Sequence, residues 1–84
     1  MKREDVFEKL NTIFRNNFDD ESIMLTDDTS SSDIDDWDSL EQINLVVEIQ
    51  DEFNIKFNID EVNAMNNVGE MVDFIIQKIG VLDN

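Results

Sequence analysis

Neither cysteine nor histidine occurs in this sequence of 84 residues. The first absence excludes a disulfide framework and a thiolate metal site. The second removes the commonest general base and the commonest metal ligand, so a serine hydrolase or a zinc enzyme would need unusual substitutes. No apolar run approaches the roughly 18–20 residues of a membrane span. Met1-Lys2-Arg3-Glu4-Asp5 leads into a mixed amphipathic stretch and not into an apolar signal segment, so a cytoplasmic location is expected. Basic residues are scarce: six against 21 acids, for a net charge of −15. Such a surface repels nucleic acid and anionic membrane and attracts basic protein surfaces and divalent cations. Four of the six bases lie within the first fifteen residues, and from Asn16 to Ile55 there are thirteen acids and no base.

The length fits one domain, residues 1–84, whose core can supply only a few kcal/mol of net stability. There is little room for a deep, dry active site as well. Charge this dense raises the question of disorder. Against it, 40% of the residues are apolar and their spacing is orderly. Val6, Leu10, Ile13 and Phe14 recur on one face of a helix over 5–14. Periodicity is then lost from Asn16 to Asp36, a polar loop that Ile23, Leu25 and Ile34 could pin to a core. A second helix is expected from Asp38 to about Phe53. Leu45, Ile49 and Phe53 face its core side, and Leu40, Ile43 and Val47 form a second apolar stripe that one buried face does not require. Phe53 to Ile59 alternates apolar and polar, but no second strand exists to pair with it, so an extended connection with alternate side chains tucked inward is expected. A short helix around Asp60–Met65 comes next. The last helix begins at Asn67-Val68-Gly69-Glu70, a cap residue with glutamate three positions on. It continues through Val68, Met71, Val72, Ile75, Ile76 and Ile79 and is expected to stop at Gly80. The expected fold is all-α: a small bundle of three main helices and one short helix, with a long first loop.

The chemistry concentrates in Asp36-Trp37-Asp38-Ser39-Leu40, where the acidic loop meets the second helix. Ser39-Leu40-Glu41-Gln42 satisfies one capping-box pattern, with Ser39 as the cap; Asp38 with Glu41 satisfies it one residue earlier. If Asp38 is the cap, Ser39 becomes the first helical residue with its hydroxyl free, and an anion attached there would sit at the positive end of the helix dipole.

Asp38-Ser39-Leu40, followed by Leu45-Val46-Val47-Glu48-Ile49-Gln50-Asp51-Glu52-Phe53, resembles the acyl and peptidyl carrier protein family, in which the serine of a D-S-L motif opens the second helix and bears 4'-phosphopantetheine. The resemblance extends to length, helix order, long first loop and acidic second helix. It implies a non-enzymatic carrier with no catalytic or metal-ligating residues. Ser39 would be the attachment site, framed by Asp38 and Leu40. The serine would be a substrate: a phosphopantetheinyl transferase would bring coenzyme A and the activation, and acyl or aminoacyl cargo would ride on the arm's thiol. Further implied partners are a loading ligase or acyltransferase and synthases or acyltransferases with basic docking patches, meeting a monomeric carrier that neither binds nucleic acid nor enters a membrane. Asp38, Glu41, Glu48 and Asp51 would steer these partners, and Leu40, Ile43 and Val47 would make the apolar contact near the arm. Carriers of fatty acid synthesis usually have a small residue where Trp37 stands. An aromatic there, with Glu48-Ile49-Gln50, looks more like carriers of special pathways, D-alanyl carriers included. Asn44 also stands where the family often has glutamate. Fatty acid, polyketide and specialised pathways, and aminoacyl or peptidyl cargo, therefore all remain open.

Three other readings compete. The carboxylates of Asp33 to Asp38 fail the EF-hand pattern, because Asp38 and Asn44 stand where Gly and Glu are required. An acidic adaptor with no prosthetic group is distinguished by its failure to accept phosphopantetheine. Hydrolysis by paired carboxylates would need a pocket that so short a chain can scarcely enclose.

Overall fold

The computed structural model describes residues 2–83, with side chains described through residue 80. Four α-helices form: α1 (Arg3–Phe18), α2 (Ser39–Phe53), α3 (Ile59–Ala64) and α4 (Val68–Asp83), with a 3-10 turn at Ser31–Asp33 in the long first connection. No strand occurs among the described residues. The all-helical bundle expected from the periodicity is the architecture observed.

The apolar stripes converge as their spacing requires. Val6, Leu10 and Phe14 of α1 meet Leu45 and Ile49 of α2 and Val68, Met71, Val72 and Ile75 of α4 in one core, and among the described residues no polar side chain is buried with them. α1 is longer at both ends than its apolar stripe, and at its C-terminal end Phe18 adds a ring against Phe14, with centroids 6.1 Å apart. It ends at Asp19, whose φ of 51° is the left-handed cap conformation that Asp and Asn adopt at small cost. Asn54 closes α2 in the same way, with φ 54°.

The first connection is long but not loose. Ile23 and Leu25 are buried and Ile34 packs against the core. Arg15 Nε donates to the Ile23 carbonyl (2.7 Å), and the Leu25 N–H donates to Asn11 Oδ1 (2.8 Å). A turn at Thr26–Thr29 then docks on the start of α4. The Val68 N–H donates to the Thr29 carbonyl (2.8 Å) and the Gly69 N–H to the Asp27 carbonyl (3.0 Å). A Cβ on residue 69 would lie 2.8 Å from that same carbonyl oxygen, so Gly69 is required by close backbone approach and not by an unusual dihedral. Arg3 pairs with both Asp27 and Asp73, holding the turn to α4 from outside. Lys9 reaches Glu52 of α2 at 3.3 Å. The concentration of bases near the N-terminus is thereby explained: Arg3, Lys9 and Arg15 tether α1 to the acidic remainder of the chain.

Two details depart from the sequence reading. Gly80 does not stop α4, which runs on to Asp83. No glycine has a positive φ, and Val81-Leu82 continue the apolar sequence, so nothing diverts the chain there. Ile59 is exposed because it opens α3 and no longer alternates with Ile55 and Phe57. α3 is capped by Asn58, whose Oδ1 accepts from the Glu61 N–H (2.8 Å) while Glu61 Oε1 accepts from the Asn58 N–H (2.9 Å).

The thirteen acids between Asn16 and Ile55 find few cations, so their mutual repulsion opposes compaction. The exposed ion pairs that screening also weakens contribute only about 0–1 kcal/mol each. The melting temperature is therefore expected to rise with salt and with millimolar magnesium. A temperature that stays flat or falls in a calorimetric titration would contradict this balance.

Candidate functional site

The junction of the first connection with α2 resolves the capping ambiguity. Asp38 has extended backbone and its Oδ1 accepts from the Glu41 N–H at 2.9 Å, so Asp38 is the N-cap. Ser39 is the first helical residue and is exposed. Its hydroxyl takes part in no hydrogen bond among the described residues, and neither do the backbone N–H groups of Ser39 and Leu40. These are the donors that a helix leaves unpaired at its start. The reciprocal half of the Asp38 box does not form, because the Glu41 carboxylate accepts instead from Asn44 Nδ2 at 2.8 Å. That bond gives Asn44 a local reason: a glutamate at 44 would place a like charge beside Glu41.

Trp37, just before the cap, is the core anchor of this junction. It is buried and meets the Phe14 ring edge-on, with centroids 5.1 Å apart and planes at 82°. Its Nε1 donates to Gln42 Oε1 at 2.7 Å. Ser39 opens onto a groove of about 500 Å³. One wall is the first turn and a half of α2, with Gln42 and Ile43; the other is α3 and its connection to α4, with Val62, Asn63, Met65 and Asn66.

α3 has no buried residue. It is held by Lys78 of α4, which pairs with Glu61 at 2.9 Å and lies 5.4 Å from the Phe57 ring centroid. The Glu61 carboxyl is held below the usual carboxylate range, first by the Asn58 N–H it accepts and then by Lys78. Its folded pKa is depressed, so its contribution to α3 is present above the unfolded pKa and is lost as pH falls through the folded one.

The structure brings the expected recognition residues onto one side of α2. Leu40, Ile43 and Val47 are 67%, 56% and 49% exposed, so the second stripe is indeed left uncovered. At 100° per residue, Glu41, Glu48 and Asp51 run alongside it, and Glu48 and Asp51 are exposed. Among the described residues no cluster of acids could hold a metal ion. Sequence reasoning missed Gln42 as a groove residue, having read it only as a capping partner for Ser39. It also missed the α3 wall, whose position depends on contacts distant in sequence.

An exposed serine at an acidic helix start describes many surfaces. Comparison with known proteins decides between them, since residues 8–75 match the family described as a phosphopantetheine attachment site. The chain belongs to the acyl carrier protein family. It is 32% identical over 79 residues to the acyl carrier protein of Guillardia theta, an alignment covering 94% of this chain and 98% of that one. It is 27% identical over 75 residues to the acyl carrier protein of Lactobacillus acidophilus, covering 89% and 94% of the two chains. The solution structure of holo acyl carrier protein from Geobacter metallireducens superimposes with a TM-score of 0.84 at 43% identity, over 89% of this chain and 86% of that one. This carrier is thus not an enzyme, and its cofactor is a covalently attached 4'-phosphopantetheine. The junction fits such a group: an exposed hydroxyl that no cap consumes, free N–H donors beside it, and an open groove alongside. No helix among the described residues is long and apolar enough to cross a membrane.

Proposed function

We propose that this single-domain carrier bears the arm on Ser39 and presents acyl or aminoacyl cargo to biosynthetic enzymes of a dedicated pathway. The observation that carries the assignment is the division of labour at the α2 start: Asp38 makes the cap bond and leaves Ser39 Oγ free. When bound, the arm supplies a thiol for thioester formation, which this chain without cysteine cannot supply itself. The chain's own part is to hold Ser39 at a rigid helix start, to keep carboxylates around it, and to leave Leu40, Ile43 and Val47 uncovered for partners.

Trp37 supports a specialised pathway over bulk fatty acid synthesis, with D-alanyl or other aminoacyl cargo as the second reading. An adenylating ligase able to load the holo protein would favour that second reading; a synthase that elongates its cargo would favour fatty acid or polyketide work. A cytoplasmic, monomeric protein is consistent with the charge.

The test begins with coenzyme A, magnesium and a broad phosphopantetheinyl transferase. Intact mass should rise by one phosphopantetheine and no more. Glu41→Lys and Glu48→Lys should slow the reaction through association, with the difference shrinking as ionic strength rises. Val47→Ala should weaken docking without changing the salt dependence. Wild-type kinetics in both charge reversals would overturn the steering argument. No modification by any transferase would favour the adaptor reading.

A further inference from the structure

Trp37 is not only a core anchor, because its polar end reaches the groove. An indole N–H can donate but never accept. The Gln42 side-chain atom 2.7 Å from Trp37 Nε1 must therefore be the amide oxygen, which fixes the orientation of the amide. Gln42 Nε2 keeps two N–H donors, and neither has a partner among the described residues. Gln42 is half-buried, lines the groove that begins at Ser39, and lies three residues further along α2, on the same side. These donors face the open groove and are available to whatever occupies it. The groove supplies apolar surface on either side of this amide, from Ile43, Val62 and Met71.

We propose that Gln42 is a positioning residue for the prosthetic group: its Nε2 donates to a carbonyl oxygen of the phosphopantetheine arm lying in the groove, and Trp37 holds the amide in the orientation that makes this possible. The proposal rests on Ser39 as the attachment point. The arm is the occupant that fits, because it is tethered at the groove's mouth and alternates amide groups with apolar segments. Gln42 amide hydrogens, indole and arm thus form one directional chain in which Trp37 donates to Gln42 and Gln42 donates onward. The unexpected aromatic at 37 then has a role at the site as well as in the core.

The experiment uses holo protein loaded from coenzyme A with ¹⁵N in the two pantetheine amides. Peptide mass spectrometry first locates the arm. In the wild type, at least one arm amide should show an order parameter above roughly 0.6, the boundary below which a group counts as flexible. The Gln42 side-chain NH₂ resonances should shift between apo and holo forms and show cross-relaxation to arm protons. Gln42→Glu keeps an acceptor for Trp37 but has no N–H to give. Trp37→Phe keeps a ring against Phe14 but releases the amide. Both should lose the arm order while the backbone spectrum of the bundle persists, and if Trp37→Phe fails to fold, Gln42→Glu alone decides. An arm found on Ser39 that is as mobile in the wild type as in free coenzyme A would overturn the Gln42 role and leave the attachment intact. So would an ordered arm that Gln42→Glu does not loosen. An arm found on another residue would overturn both.

Discussion

Ser39→Ala is expected to fold normally and to gain no phosphopantetheine at all. On the proposed assignment the reaction needs one nucleophile: Ser39 Oγ would lose its proton to the transferase and form an O–P bond to the pantetheine-bearing phosphorus of coenzyme A, and adenosine 3',5'-bisphosphate would leave. Alanine offers no oxygen, so the loss is complete and not graded. Stability separates this outcome from a folding defect. If Ser39 were the cap, its removal would cost about 0.5–2 kcal/mol. The cap bond belongs instead to Asp38, whose Oδ1 accepts from the Glu41 N–H. Alanine also has the higher helix propensity of the two residues. Ser39→Ala should therefore melt close to wild type, while Asp38→Ala should bear the capping loss. The other serines near the site are internal controls. Ser22 Oγ is bound to Asp20 at 2.6 Å, and Ser30 and Ser32 pair their hydroxyls at 2.8 Å. Ser31 lies at the groove's edge but in a 3-10 turn, not at the start of a long helix. Intact mass and a thermal melt on the same samples check both halves. Modification that persists in Ser39→Ala would move the arm elsewhere.

Local rules and long-range contacts divide what could be read beforehand. The stripes Val6–Leu10–Phe14 and Leu45–Ile49–Phe53 were legible because burial repeats with the helix period. The exposure of Leu40, Ile43 and Val47 was legible for the same reason, as a stripe left over after the core side was assigned. Asp38 and Ser39 were legible only as alternatives: both satisfy the capping pattern, and the choice depends on where the loop's backbone turns. Gly69 was not legible as a close-approach residue, because its neighbour Asp27 is brought to it by the fold. Gly80 misled because a terminal glycine stops a helix only when it takes a left-handed conformation. The Trp37–Gln42 bond was hidden by a competing local pattern, since Gln42 already had a plausible partner in Ser39. The Asn58–Glu61 box is a different case. Its Asn-x-x-Glu spacing is visible in the sequence, and the strand-like alternation before it drew attention away.

Phe14→Ala is expected to be the most damaging single change in the core, and to reach the site through one contact. Phe14 is fully buried and touches rings on both sides, Phe18 at 6.1 Å and Trp37 at 5.1 Å between centroids. Removing a buried phenylalanine side chain costs about 3–5 kcal/mol, part lost transfer energy and part residual cavity. Natural domains have about 5–15 kcal/mol in all, and cores this small often supply about 3–5. The variant should therefore lie near its unfolding midpoint at ordinary temperature. Each kcal/mol lowers the melting point by about 4–8 °C in a domain of this size, so a fall of tens of degrees is expected. The effect is directional as well as large. Trp37 loses the ring it stands against, and Trp37 leads directly into the Asp38 cap and holds Gln42. Trp37 is the only tryptophan, so its fluorescence reports this corner alone while circular dichroism reports all four helices. In wild type the two transitions should coincide. In Phe14→Ala, with magnesium added to retain the fold, the tryptophan emission should shift to the red before helicity is lost. Modification by the transferase, proposed at Ser39, should slow in this variant, and the slowing should track the fluorescence and not the circular dichroism. Phe14→Leu fills most of the space and should recover the larger share of both. A Phe14→Ala protein within 1 kcal/mol of wild type, a figure set against the expected cavity cost of about 3–5 kcal/mol, would mean that the bundle closes over the cavity. The rigidity of the α2 start would then depend on the Asp38 cap and the Trp37–Gln42 bond more than on the aromatic stack beneath them.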